Sequence, residues 1–149
     1  MRLADILDIC TVKLVEIAPG TSLAETAREM CVIEVAGARF IRPDGRQGFV
    51  TRGDILHLLV NSASPLGTWE GPVIDVINRG PEPVDATMPV RVVIADMREA
   101  GIEYMPVVTG QGIVIVSLSN LLIAENTFLH SEVQHLQTYI DALHEAPND

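Results

Sequence analysis

The stretch Gly48-Phe-Val-Thr51-Arg52-Gly53-Asp54 reads as a strand that runs straight into a helix. Gly48-Phe-Val is short and apolar. Thr51 and Asp54 have the hydroxyl-x-x-carboxylate spacing that satisfies orphan amides at a helix start. Ile55-Leu-His-Leu-Leu-Val60 supplies the apolar helix that follows. The same order recurs at Val114-Ile-Val-Ser117-Leu118-Ser119-Asn120, which feeds Leu121-Leu-Ile-Ala124. Thr51 and Ser117 lie 66 residues apart, as do Asp54 and Asn120. A single Thr-x-x-Asp is a helix cap and nothing more. Found twice at the same place, it marks a duplicated unit.

Upstream, the two copies continue in parallel. At Ile17-Ala-Pro-Gly-Thr-Ser-Leu an extended run meets a turn, and Ser22 with Glu25 opens a helix whose face is Leu23, Ala27, Met30 and Cys31. At Pro83-Val-Asp-Ala-Thr-Met-Pro-Val the pattern repeats. Thr87 is the expected cap and Pro89 falls in the first turn. Val90, Val93, Ile94 and Met97 form the face, and Gly101 ends the helix. A strand is expected over 32–41, then the turn Arg42-Pro-Asp-Gly45 and a returning strand. Its counterpart is Tyr104-Met-Pro-Val-Val108, a turn over 109–112 that includes Gly110-Gln-Gly112, and a return over 113–116.

The repeated unit is therefore βαββα, an α+β (α/β-type) fold written twice. The first repeat is expected over 1–60, including a short amphipathic helix marked by Leu3, Ile6 and Leu7. A Pro/Gly/Ser-rich linker follows over 61–72, the second repeat over 73–126 and a helical extension over 127–149. A unit of about 60 residues is marginal alone. The two are expected to share a core with pseudo-twofold symmetry, leaving a cleft along the seam.

Composition narrows the function. Of 149 residues, 48% are hydrophobic, 20% charged and 4% aromatic, so the chain folds around an aliphatic core. A net charge of −10 argues against general nucleic-acid binding. The acid is uneven: residues 1–60 hold seven bases against eight acids, and 61–149 hold three against twelve. A small anion is better tolerated in the first part, where Arg39, Arg42, Arg46 and Arg52 cluster. Cys10 and Cys31 sit in apolar runs without a CxxC pattern, which predicts two buried, reduced thiols in a cytoplasmic protein. No apolar run approaches the roughly 20 residues of a membrane span, and Asp5 and Asp8 interrupt any signal-peptide reading.

His57, His130, His135 and His144 lack metal-ligand spacing, so no metal site is expected. Neither a Gly-x-Ser-x-Gly elbow nor a Walker loop is present. No nucleophile or general base stands out, so catalysis is not expected. Trp69, in the linker, is expected to fill a gap. Beyond the second repeat, Leu129, Val133, Leu136, Ile140 and Leu143 are spaced 4, 3, 4, 3, a heptad seam ending near Pro147. Two readings stand side by side: a helix packed on its own chain, or a subunit contact. Two heptads are too short to associate alone, so in the second reading the helix reinforces another interface.

The doubled motif also has a chemical reading. A helix N-terminus offers free amides and partial positive charge to phosphate. The Thr51 hydroxyl adds a donor, Arg52 grips phosphate, and Asp54, one turn on, can accept from a ribose. Gly48 would let a ligand approach the backbone. Together these groups suit an adenosine phosphate.

These stretches, with Val73-Ile-Asp-Val-Ile77, Met105-Pro-Val-Val108 and their order, resemble a tandem pair of cystathionine-β-synthase (CBS) domains, a Bateman module, over about residues 9–126. The resemblance implies a regulatory, signal-transducing module that binds AMP, ADP, ATP, NAD or S-adenosylmethionine between the repeats. It requires no cofactor, forms a homodimer and acts on a separate protein, with no nucleic-acid or membrane partner. By motif position, Thr51, Arg52 and Asp54 would hold phosphate and ribose in one site, and Ser117 and Asn120 in the other. Val15, Pro83, Pro106 and Val107 would lie near adenine. The second copy departs from the family pattern: Asn120 stands where an aspartate is usual, Val114 where a glycine is, and no arginine follows Ser117. The first site is therefore expected to be the stronger. The alternative is a structural dimerisation scaffold whose cleft has lost its ligand.

Overall fold

The computed structural model describes residues 1–75 and 81–145. Two compact units emerge, one from Val12–Pro81 and one from Met1–Thr11 together with Glu82–Asp149. The first holds β1 (Leu14–Glu16), α2 (Leu23–Ile33), β2 (Gly37–Ile41), β3 (Gln47–Thr51), α3 (Arg52–Asn61) and α4 (Pro65–Glu70). The second holds α1 (Leu7–Cys10), β4 (Val84–Asp85), α5 (Val90–Ala100), β5 (Tyr104–Thr109), β6 (Gly112–Ser117) and α6 (Leu118–Glu145). Both contain the expected βαββα order. In each three-stranded sheet the first pairing is parallel and the second antiparallel.

Local chemistry explains most boundaries. Ser22 Oγ accepts from the Glu25 amide at 3.1 Å and opens α2. In the 42–45 turn the Gly45 amide donates to the Arg42 carbonyl, with Gly45 at φ +84°, a conformation open to glycine at no steric cost. Gly101, at φ +68°, closes α5 as expected. Three expectations need correction. The strand expected from residue 32 starts at Gly37, because α2 runs on to Ile33 and stops where Glu34 adopts the left-handed conformation at φ +58°. No glycine marks that stop, so an apolar run hid it. Thr87 does not cap α5. Its amide instead donates to Asp85 Oδ1 at 2.8 Å, a bond that holds the Asp85 carboxyl below its ordinary pKa. Pro89 is the N-cap itself and lies just outside the first turn.

The N-terminal segment joins the unit of the second repeat, not the first. The Leu3 amide donates to the Met88 carbonyl at 3.0 Å, the Ala4 amide to Ala86 at 2.8 Å, and the Val90 amide to Met1 at 3.0 Å. The supposed linker does the matching work for the other unit. The Leu23 amide donates to the Gly71 carbonyl at 2.9 Å and the Val73 amide to Thr21 at 2.7 Å. Arg2 bridges Pro89 as Pro72 bridges Ser22. Leu3 and Val73 are both fully buried. The segment ahead of each repeat thus closes the core of the other repeat's unit. Residues 61–72 are accordingly not a bare linker: they hold α4, and Trp69 packs on the core of the first unit. Residues 76 and 77 of the quoted Val73–Ile77 stretch lie outside the described residues.

Each unit closes its own core. The first is built on Leu23, Met30, Ala38, Phe40, Val50 and Val73. The second is built on Leu3, Val90, Val93, Met97, Val107 and Leu121. The borrowed segment supplies the apolar cover that a bare three-stranded unit would lack. The helix of the second repeat and the expected extension are one continuous helix, α6. Pro147 lies outside the described residues.

The two thiols differ. Cys10 is fully buried, with its Sγ 3.5 Å from the Asn120 carbonyl, whereas Cys31 is exposed on α2. The expectation of two buried thiols fails for Cys31 because α2 turns that residue away from the core. Burial, and secondarily Asp8, raises the Cys10 pKa, leaving less of the reactive thiolate. One thiol per folded chain is expected to react promptly with an aromatic disulfide reagent, and a second only after denaturation. Two fast thiols in the native protein would contradict the burial of Cys10.

Candidate functional site

Strand β3 delivers Thr51 to the start of α3, and the expected capping box is complete. The Asp54 amide donates to Thr51 Oγ1 at 3.3 Å, and the Thr51 amide donates to Asp54 Oδ2 at 2.9 Å. The Arg52 amide donates to the Ala36 carbonyl at 3.4 Å, which ties the turn to the residue just ahead of β2. The box uses Thr51 Oγ1 as an acceptor, so its hydroxyl proton remains to donate. It uses one carboxylate oxygen of Asp54, so Oδ1 retains acceptor capacity. A hydroxyl donor and a carboxylate acceptor thus stand together at the N-terminus of a ten-residue helix, where the backbone dipole favours an anion. Both side chains are part-exposed, and Arg52 is exposed beside them. Arg52 and Ile55 also line an open cavity of about 520 Å³ with Ala27, Met30, Cys31 and Glu34.

The equivalent corner of the other unit is weaker. Ser117 Oγ accepts from the Asn120 amide at 3.1 Å and lies 3.4 Å from Ser119 Oγ. The Leu118 amide donates to the Glu103 carbonyl at 2.8 Å, as Arg52 does to Ala36. Ser117 is buried, Leu118 occupies the place of Arg52, and Asn120 lines an apolar cavity of about 390 Å³ with Ile6, Ile9 and Phe128.

The remaining sequence-predicted residues scatter. Val15, on β1, packs against the core of the first unit. In the second unit Pro83 is exposed and Pro106 is part-buried on β5. Val107 corrects its expectation, since at 0% exposure within the core it presents no surface to adenine. The arginine cluster also disperses. Arg39 lies over the Phe49 ring and Arg42 over the Phe40 ring, each at 5.6 Å, while Arg46 pairs with Asp44 in the exposed turn at 3.7 Å. Only Arg52 stands at the helix start.

Gly48 has a reason other than ligand access. It pairs with Phe40 across the β2–β3 hairpin, and a Cβ at position 48 would run into the Phe40 ring. In the other unit the matching pair is Val107 and Val114. Large-plus-none on one sheet becomes medium-plus-medium on the other, so Val114 is the packing partner of Val107. Pairing two positions across a hairpin requires its register, which the sequence leaves open. Among the described residues no group of three or more metal-ligating side chains gathers, and no helix is long and apolar enough to cross a membrane.

Residues 73–124 match the family model described as the CBS domain. No curated protein sequence matches the chain. Among solved structures, a CBS-domain-containing protein from Agrobacterium tumefaciens is similar at 16% identity and a TM-score of 0.67, covering 84% of this chain and 99% of that one. An uncharacterised conserved protein from Pyrococcus horikoshii is 29% identical with a TM-score of 0.64, covering 80% and 90%. CBSX2, solved in complex with AMP, is 22% identical with a TM-score of 0.63, covering 85% and 97%. The duplicated βαββα unit is thus the fold of CBS-domain proteins, and this chain carries a CBS domain at residues 73–124 within a tandem pair of such units.

Proposed function

We propose that this protein is a regulatory module that binds an adenine nucleotide of the AMP, ADP or ATP type at the Thr51–Asp54 corner and acts on a separate partner protein in the cytoplasm as a homodimer. The observation that carries the reading is the complete capping box. It holds Thr51 and Asp54 rigid while leaving one hydroxyl proton and one carboxylate oxygen for phosphate and ribose. Arg52 supplies positive charge beside them. CBSX2, a structural relative, was solved with AMP. The Ser117–Asn120 corner, with a buried hydroxyl and no arginine, is the weaker or vacant site. The ring-binding roles of Val15, Pro83 and Pro106 belong to the same proposal.

The test is thermal unfolding with AMP, ADP, ATP, NAD and S-adenosylmethionine, each added separately. A ligand at 100 times its Kd stabilises the folded state by about 2.7 kcal/mol, which for a chain of this size raises Tm by roughly 5–10 °C. Superimposed curves for all five would reject the nucleotide reading and favour a ligand-free scaffold.

A further inference from the structure

The heptad face of α6 lies largely open within its own unit among the described residues, with only Leu129 beside a cavity that Met1 and Pro89 also line. Leu129, Val133, Leu136, Ile140 and Leu143 are 44% to 62% exposed, so the helix's own unit does not bury this face. Continuity of α6 from Leu118 also lengthens the seam. Leu121 and Ala124 root the helix in the core, while Leu122 and Asn126 face outward and extend the same stripe toward the root. The full spacing becomes 4, 3, 4, 3, 4, 3 over three heptads.

We propose that the stripe over 122–143 pairs with the same stripe of a second copy as a parallel, two-stranded coiled coil. Residue types at the two seam positions favour two strands. Leucine occupies every d position (122, 129, 136 and 143), and the a positions hold Asn126 and the β-branched Val133 and Ile140. A lone asparagine at an a position fixes register in parallel dimers. The flanking charges choose the direction. In a parallel pair each g residue meets the partner's e residue five places on, which sets Glu125 against the partner's His130 and Glu132 against the partner's Gln137. Antiparallel strands would instead bring the g flank, with Glu125 and Glu132, against itself. The folded unit already nucleates the helix, which removes the main penalty on a short coiled coil. The proposal does not depend on nucleotide binding.

Cross-linking tests it on the full chain carrying Cys31→Ser, since Cys31 is the exposed native thiol. Leu129→Cys and Ile140→Cys are introduced singly. Both positions are exposed, so neither substitution disturbs a core. In a parallel pair each faces its own copy, and mild oxidation is expected to give a covalent dimer with either variant. Adding Leu136→Asp is expected to lower the dimer yield at least about tenfold, because an unpaired carboxylate would enter the seam. No dimer from either variant would overturn the proposal, as would a yield indifferent to Leu136→Asp. A dimer formed only on mixing the two variants would overturn the parallel arrangement, because antiparallel strands would hold like positions about 16 Å apart along the axis.

Discussion

Asp54→Ala is expected to remove most of the melting shift that AMP confers, while Asn120→Ala leaves that shift nearly intact. The comparison must be made within each variant, with and without nucleotide. Asp54→Ala also breaks the capping box by taking away the acceptor of the Thr51 amide, which lowers stability by about 1 kcal/mol before any ligand is added. The ligand effect is separate. A hydrogen bond from a ribose hydroxyl to a charged carboxylate contributes about 1.5–3 kcal/mol, so its loss weakens binding roughly 10- to 100-fold. Asp54→Asn keeps an acceptor of the same shape without the charge and is expected to fall between wild type and Asp54→Ala. Asn120 has a neutral side chain beside a buried serine and an apolar cavity, so its removal takes little from an anion site. The reverse ranking, with Asn120→Ala abolishing the shift, would move the binding corner to the other unit.

Gly48→Val is expected to destabilise the β2–β3 hairpin strongly, and Phe40→Val in the same chain is expected to restore much of the loss. Phe40 is buried at 2% exposure with its ring lying over Gly48, so any side chain at 48 collides with it. Overpacking of this kind destabilises by about 1–3 kcal/mol. Phe40→Val alone leaves a cavity and costs about 2–4 kcal/mol, somewhat below a full truncation to alanine. The double variant copies the Val107–Val114 pair of the other sheet, in which two medium side chains fill the same span. Urea unfolding of the four proteins reads out the coupling. Additive losses would show that the two positions do not share space, and the packing account of Gly48 would fall.

Much of the candidate site was legible in the sequence. Thr51 and Asp54 act across three residues of one chain segment, and a capping box is a local device that spacing reveals directly. The doubling made it conspicuous. The remoter assignments fared differently. Val107 cannot touch a ligand because it lies wholly in the core. A strand pattern shows which residues alternate but not whether the inward ones meet a cavity or other side chains. The four arginines looked like a cluster because they are near in sequence. On a hairpin, though, alternate residues face opposite sides and the turn points elsewhere, so two stack on aromatic rings and one pairs within the turn. The missed end of α2 has the same origin, since Val32 and Ile33 are apolar but exposed there.

From the residues alone came the repeat, the order of strands and helices within it, the capped starts of α2 and α3, the hairpin turns and the heptad spacing. Each depends on neighbours within a few positions, where backbone geometry and hydrogen-bonding chemistry act without reference to distant chain. Tertiary structure alone decided that residues 1–11 and 71–75 each close the other repeat's unit, that Gly48 answers Phe40, and that the α6 stripe is left largely open within its own unit. Those outcomes turn on which distant apolar surfaces meet and exclude water. Burial is non-directional and depends only on what finally lies alongside, so no local pattern encodes it.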